Sequence, residues 1–330
     1  CGFINDAKEE SVNMILSLCE QRRKGRLNKL FVMGCLSERY FEELNQELPE
    51  VDKFFGKFDW MGILKELNLK PLGGRYNHRV QTTPPHYAYL KVAEGCNRSC
   101  AYCAIPMMTG KYKSRSMEDV LDEVKLLVSR GVKEIQVVAQ GLTYYGLDIY
   151  GDRRLPELVQ RISDVSGVEW VRLHYGYPNN FPYKLLPIMR DRNNVCKYLD
   201  IALQHSSDRM LERMRRDTTR EYQKSLIERL RSEVPGIALR TTFMVGYPGE
   251  TEEDFQDLLD FVVWARFERM GAFMYSEEEG TFAAKHYDDD VPSEVKQRRI
   301  DELMALQQRI SEELCAQKVG TTQKVIVDRN

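Results

Sequence analysis

The chain has 330 residues, 42% of them hydrophobic and 30% charged, the mix of a folded globular protein of about two domains. A formal net charge of -2 excludes the bulk basic signature of a nucleic-acid binder. No apolar run approaches the ~18 residues of a membrane span, and the opening residues do not read as a secretory leader.

The sequence opens on Cys1-Gly2-Phe3-Ile4-Asn5, which reads as the exit of a strand and suggests a chain trimmed upstream. Asp6 is placed to cap a helix running to about Arg23, with Val12, Ile15, Leu16 and Cys19 on one face. Residues 29–33 form a short apolar strand ending in Gly34-Cys35. A helix over 37–47, a strand over 51–55 and a helix over 60–67 complete a small α/β domain at residues 1–69. Pro71, Gly73, Gly74, Pro84 and Pro85 mark residues 70–86 as a linker.

From residue 87 the pattern repeats. Strands are expected over 89–93, 134–139, 170–174, 198–201, 239–245 and 271–275. Helices are expected between them over 117–130, 155–165, 183–189, 208–231 (broken near 216–219) and 252–267. Parallel strands with helical crossovers satisfy this order. Eight such units close a barrel of ~250 residues. Six predict an α/β fold with an open (βα)6 partial TIM barrel over 87–317, whose open side can admit a bulky substrate. A long charged helix over 293–317 closes it. Residues 318–330, with Lys324-Val325-Ile326-Val327, read as the first strand of a β-barrel domain cut short.

Eight cysteines are too few for a disulfide scaffold. Three of them, Cys96, Cys100 and Cys103, follow the first barrel strand with C-x3-C-x2-C spacing. Active sites of such barrels lie at that end of the strands. Three thiolates are one short of the four that fill a 4Fe–4S cluster or a structural zinc site, so one coordination position stays open for chemistry. The alternatives are a zinc site or three unrelated cysteines. Such clustering points to metal binding in a reducing cytoplasm. Cys19 on an apolar helix face reads as core, and Cys196 and Cys315 read as bystanders.

C-x3-C-x2-C with the aromatic Tyr102 before the last cysteine resembles the radical S-adenosylmethionine (SAM) superfamily. The resemblance implies a 4Fe–4S cluster whose fourth iron chelates the methionine group of SAM, an electron that splits the sulfonium to a 5′-deoxyadenosyl radical, and Tyr102 against the adenine. Cys103-Ala104-Ile105-Pro106, Gly110, Ser114-Arg115-Ser116, Gln140 with Thr143-Tyr144-Tyr145-Gly146, Leu203-Gln204-His205, 246–255 and Tyr275-Ser276 with Gly280-Thr281 are similar to the methylthiotransferase branch. Cys1 and Met33-Gly34-Cys35 resemble two of the three cysteine sites of that family's auxiliary-cluster domain. The third cysteine, on a preceding strand, is absent from this sequence, so two clusters are expected only of the longer protein.

Two substrates divide that branch: an adenosine of transfer RNA, and the β-carbon of an aspartate in a small-subunit ribosomal protein. Phe55-Gly56-Lys57-Phe58-Asp59-Trp60, Thr82-Thr83-Pro84-Pro85-His86-Tyr87, His174-Tyr175-Gly176-Tyr177-Pro178 and 275–281 resemble the second. Ala202, Asp217 and Gly141 depart from its usual Pro, Gly and Asp. Glu277, Glu278 and Glu279 either agree with it physically, as three carboxylates at the mouth that oppose an RNA backbone and favour a basic protein, or form a solvated acidic turn with no partner. The expected partners are therefore a ribosomal protein, SAM as co-substrate and a reductant of flavodoxin or ferredoxin type. Transfer RNA is the alternative substrate, and a non-catalytic iron–sulfur or zinc module the second alternative.

The remaining candidates lie at strand ends or along the fifth strand. Gly246, Gly249 and Glu250 form a turn that can let backbone approach a cofactor, or an ordinary strand-to-helix turn. Arg240 and Thr242 share a strand face, where Arg240 can pair a carboxylate of the cofactor or a barrel ion partner. Gln140, Gln204 and His205 can bind ribose or substrate, and His205 can equally be a structural histidine.

Overall fold

A computed structural model describes residues 2–70 and 79–327. The chain begins with α1 (Asn5–Arg23), β1 (Phe31–Met33), α2 (Cys35–Arg39), α3 (Phe41–Glu47), β2 (Lys53–Phe55) and α4 (Trp60–Glu66). β1 and β2 pair in parallel, as a strand–helix–strand crossover requires. Ile15, Cys19, Leu30, Leu36, Leu44, Leu48, Val51 and Phe54 form the core beneath them.

Three local expectations change here. Ile4, not Asp6, precedes the first helix and makes no side-chain cap; Asp6 lies inside the first turn, where its charge meets the positive end of the helix dipole. Leu16 is exposed, because the buried stripe of α1 runs through Ile15 and Cys19. The single helix over 37–47 is two, starting at Cys35, because Tyr40 leaves helical geometry (φ -124°, ψ 38°) while packing on the core.

β3 (Tyr87–Lys91), β4 (Ala93–Glu94), α5 (Ile105–Thr109), β5 (Lys113–Ser114), α6 (Met117–Ser129), β6 (Glu134–Val138), α7 (Leu147–Tyr150), α8 (Leu155–Ser163), β7 (Trp170–Gly176), α9 (Leu185–Asp191) and β8 (Val195–Gln204) follow. Next come α10 (Asp208–Arg213), α11 (Arg220–Glu233), β9 (Ala238–Val245), α12 (Glu252–Ala265), β10 (Arg269–Met274), α13 (Phe282–His286) and α14 (Ser293–Ala316). β3 and β6 to β10 form one six-stranded, all-parallel sheet in chain order. β4 turns away to pair antiparallel with β5.

Alternation sets the two faces of this sheet. Along β9, Leu239, Thr241, Phe243 and Val245 are buried, while Arg240, Thr242 and Met244 are half-buried. Phe243 meets Phe261 of α12 edge-on at 6.3 Å. α12 starts at a capping box in which Thr251 and Asp254 bond each other's backbone. α14 buries Lys296, Arg299, Leu303, Gln307 and Ile310, a helical stripe that is largely polar.

The described residues form two compact units that interleave along the chain. One draws on Cys1–His78, Gly95–Tyr112 and Ser276–His286, the other on Arg79–Glu94, Lys113–Tyr275 and Tyr287–Asn330. Of the expected linker, residues 71–78 lie outside the described residues. Arg79 pairs with buried Glu123 at 2.5 Å. The strand expected over 324–327 is absent: those residues take no regular structure, since a lone strand has no partner to complete its hydrogen bonds. Among the described residues no helix is long and apolar enough to cross a membrane.

Candidate functional site

Cys96, Cys100 and Cys103 lie on one loop directly after β4, and all three are half-buried. Ala101 and Ala104 between and beside them are fully buried and anchor the loop. Small side chains at those two positions let the backbone sink while the three cysteines stay half-buried. The loop is also tied by its backbone. Cys96 N donates to Gly110 O at 3.2 Å, Cys103 N to Cys100 O at 3.1 Å, and Tyr112 N to Asn97 Oδ1 at 2.9 Å. Gly95 has φ +74°, and a Cβ there would run into the Lys111 carbonyl, so the entry to the loop requires glycine. Tyr102 is half-buried beside the last cysteine.

The donor set suits a cluster of the expected kind. In a 4Fe–4S cluster each thiolate binds its own iron, so the ligands surround a cube and leave its fourth corner open. Cys1 lies outside the described residues. Cys35 is half-buried at the start of α2. Gly2 presses on it: a Cβ at Gly2 would stand 2.7 Å from the Cys35 carbonyl oxygen. The residue after Cys1 and the backbone of Cys35 are thus in contact.

The other candidates lie within the second unit, Gln140, Gln204 and the turn at Gly246 to Glu250 at the C-terminal ends of parallel strands and Arg240 and Thr242 along β9. Gln140 follows β6, and its Oε1 is buried without a hydrogen-bond partner, as is the Thr143 hydroxyl nearby in the chain. Buried polar atoms are almost always bonded, so an orphan acceptor at a strand end suits a ligand donor group. Gln204 ends β8 in the left-handed region at φ 74°, a strained backbone of the sort found at ligand sites. Arg240 and Thr242 share the half-buried face of β9 as expected. Arg240 Nη1 pairs with Asp200 Oδ2 at 2.8 Å across the register of β8 and β9, so the contact formed is an ion pair between neighbouring strands. Burial raises the Asp200 carboxyl above its usual range, opposed by Arg240. His174 lies 4.0 Å from Asp200, and burial, assisted by Arg172 and Arg240, pushes its pKa down to about 4.

Gly246 and Gly249 both have positive φ in the turn after β9. Glu250 is engaged entirely by protein. Its Oε1 accepts from His205 Nε2 at 3.0 Å, and its Oε2 accepts from Arg299 Nη1 at 2.8 Å and from the Gly246 amide. Ser207 N donates to His205 Nδ1 at 3.0 Å, which puts the ring proton on Nε2, facing Glu250. All three side chains are sealed from solvent. Glu250 therefore holds the glycine turn, and His205 takes the structural option.

The acidic run also needs correcting. Glu277 and Glu279 are exposed, but Glu278 is buried and paired with Lys8 at 3.2 Å and Arg39 at 3.5 Å. Its charge is neutralised inside the first unit and is not offered to a basic partner. Arg39, Lys296 and Arg299 were missed from sequence, and the spacing 296-299-303-307-310 was the available signal for the last two. Burial pushes the Cys196 thiol up to about 11, which keeps it protonated, and Cys315 is exposed on α14.

Residues 90–262 match the family model described as the radical SAM superfamily, and residues 1–56 match the uncharacterized protein family UPF0004. Over 329 residues the chain is 62% identical to the ribosomal protein uS12 methylthiotransferase RimO of Bacteroides thetaiotaomicron, covering 100% of this chain and 76% of that protein. It is 58% identical over the same span to the protein of that name from Porphyromonas gingivalis, again with 100% and 76% coverage. In three dimensions it is similar to the cobalamin-dependent S-adenosylmethionine radical enzyme OxsB solved with aqua-cobalamin and S-adenosylmethionine bound. The TM-score is 0.56 at 15% identity, over 94% of this chain and 46% of that one, a likeness of fold.

Proposed function

This chain belongs to the radical SAM superfamily and, within it, to the methylthiotransferase family of its RimO relatives, and on that premise we propose that it adds a methylthio group to the β-carbon of an aspartate in ribosomal protein uS12. The observation that carries the reading is the anchored loop, which offers three half-buried thiols next to a strand end. When bound, the cluster and SAM supply hydrogen abstraction from a carbon too weakly acidic for base catalysis.

The chain's own residues bind, orient and exclude water. Cys96, Cys100 and Cys103 hold the radical cluster. Cys1 and Cys35, with a third thiolate, hold the auxiliary cluster. Gln140, Gln204 and Thr242 are assigned to SAM, while Arg240 holds Asp200 and Glu250 keeps the Gly246 turn in shape. A cytoplasmic reductant of flavodoxin or ferredoxin type feeds electrons.

Competition between uS12 and transfer RNA tests the substrate. Mass spectrometry is expected to find methylthio-aspartate in uS12. Modification of transfer RNA alone would overturn the reading.

A further inference from the structure

Within the first unit, an unbroken set of bonds runs from the segment next to Cys1 to the cysteine loop. Arg39 stands four residues after Cys35 in α2. Its Nη1 donates to the carbonyls of Gly2 at 2.8 Å and Phe3 at 3.2 Å, and reaches Glu278 Oε2 at 3.5 Å. Lys8 Nζ donates to the same oxygen at 3.2 Å, and Ser276 Oγ donates to Oε1 at 3.2 Å. The Glu278 carbonyl accepts from Thr281 Oγ1 at 2.7 Å, at the start of α13. From α13, Ala283 N donates to the carbonyl of Ala101, inside the cysteine loop, at 2.8 Å. The Glu278 and Arg39 side chains are 2% and 4% exposed.

Stability alone gives little reason for charge here. A buried ion pair is commonly matched by apolar residues of the same volume, because desolvating two charges cancels much of their attraction. Directionality is what charge adds. Two cations approach one carboxylate oxygen and a hydroxyl the other, so the carboxylate has one acceptable orientation, and α2 and the Ser276–His286 segment must follow it.

We propose that Glu278 is a positioning residue that keeps the helix beginning at Cys35 in register with the loop carrying Cys96, Cys100 and Cys103. This rests on the proposed methylthiotransferase reading. Glu278 touches no reacting atom; it acts through Arg39 and Ala101.

The test uses the full-length protein, anaerobically reconstituted, with Glu278→Gln against wild type. Three quantities are read: the electron paramagnetic resonance spectrum of the reduced clusters, 5′-deoxyadenosine released, and methylthio product. Glu278→Gln is expected to keep 5′-deoxyadenosine release, to alter the spectrum, and to lower the ratio of product to 5′-deoxyadenosine about tenfold, the scale of lost outer support at a metal site. Glu278→Asp, which restores the charge, recovers part of that ratio. A wild-type ratio with an unchanged spectrum overturns the proposal. Should Glu278→Gln not fold, Arg39→Lys is read by the same three quantities and the same criterion. Absence of methylthio product from the wild type overturns the parent reading instead.

Discussion

Glu250→Ala tests whether the turn after β9 is held by a buried charge. The change takes from the Arg299 guanidinium, which is 4% exposed, its buried partner, leaving it the exposed Glu252 carboxylate at 3.2 Å and the residue-250 carbonyl, and leaves the Gly246 amide and His205 Nε2 without their acceptor. Removing one partner of a buried pair costs about 3–5 kcal/mol. The two orphaned donors overlap with that cost, so we take about 4 kcal/mol in all. At about 2–4 °C per kcal/mol for a unit of this size, the melting temperature falls by about 8–16 °C. Thermal unfolding followed by circular dichroism measures the shift. Arg299→Met in the same chain removes the charge that has lost its buried partner and recovers about half of the loss. A Glu250→Ala loss below about 1 kcal/mol, the worth of a surface pair, would refute the reasoning. So would a double variant no more stable than the single one.

Three further outcomes follow from the same structure. His174 has a folded pKa of about 4 against 6.5 for the free side chain, so the unfolded chain binds its proton first. Its contribution to stability is whole above about pH 6.5 and is lost as pH falls toward 4; denaturation midpoints of wild type should fall more steeply over that window than those of His174→Gln, and parallel curves would contradict the burial argument. Thr251→Ala breaks the capping box of α12 and should cost about 1 kcal/mol in a urea titration; an unchanged midpoint would contradict the cap. Gln140→Leu removes the orphan Oε1 and should weaken SAM binding about tenfold by calorimetry, about 1.4 kcal/mol, whereas unchanged affinity would take Gln140 out of the cofactor site.

What the sequence revealed and what it concealed divide by range. The six sheet strands were legible because stretches such as Leu239-Arg240-Thr241-Thr242-Phe243 alternate with the pleat. The cysteine motif was legible because its spacing is local. Glu278 and Arg299 were hidden because a charged residue reads as solvent-facing until a distant partner neutralises it: Glu278 finds Lys8 and Arg39 far away in the chain. The run of three glutamates thus suggested a charged surface, although its central member is core. α14 misled in the same way, since its buried stripe starts with Lys296 and Arg299 and lacks the apolar contrast that betrays a packed face. The break at Tyr40 was illegible because Ser37 to Glu47 contains no glycine or proline to mark it.

Release of 5′-deoxyadenosine tests the central claim most directly. Full-length protein, reconstituted without oxygen and given SAM and dithionite, is predicted to release it, and the Cys96→Ala, Cys100→Ala, Cys103→Ala triple variant to release none. Absence of 5′-deoxyadenosine from the wild type, or equal amounts from both proteins, would contradict the account.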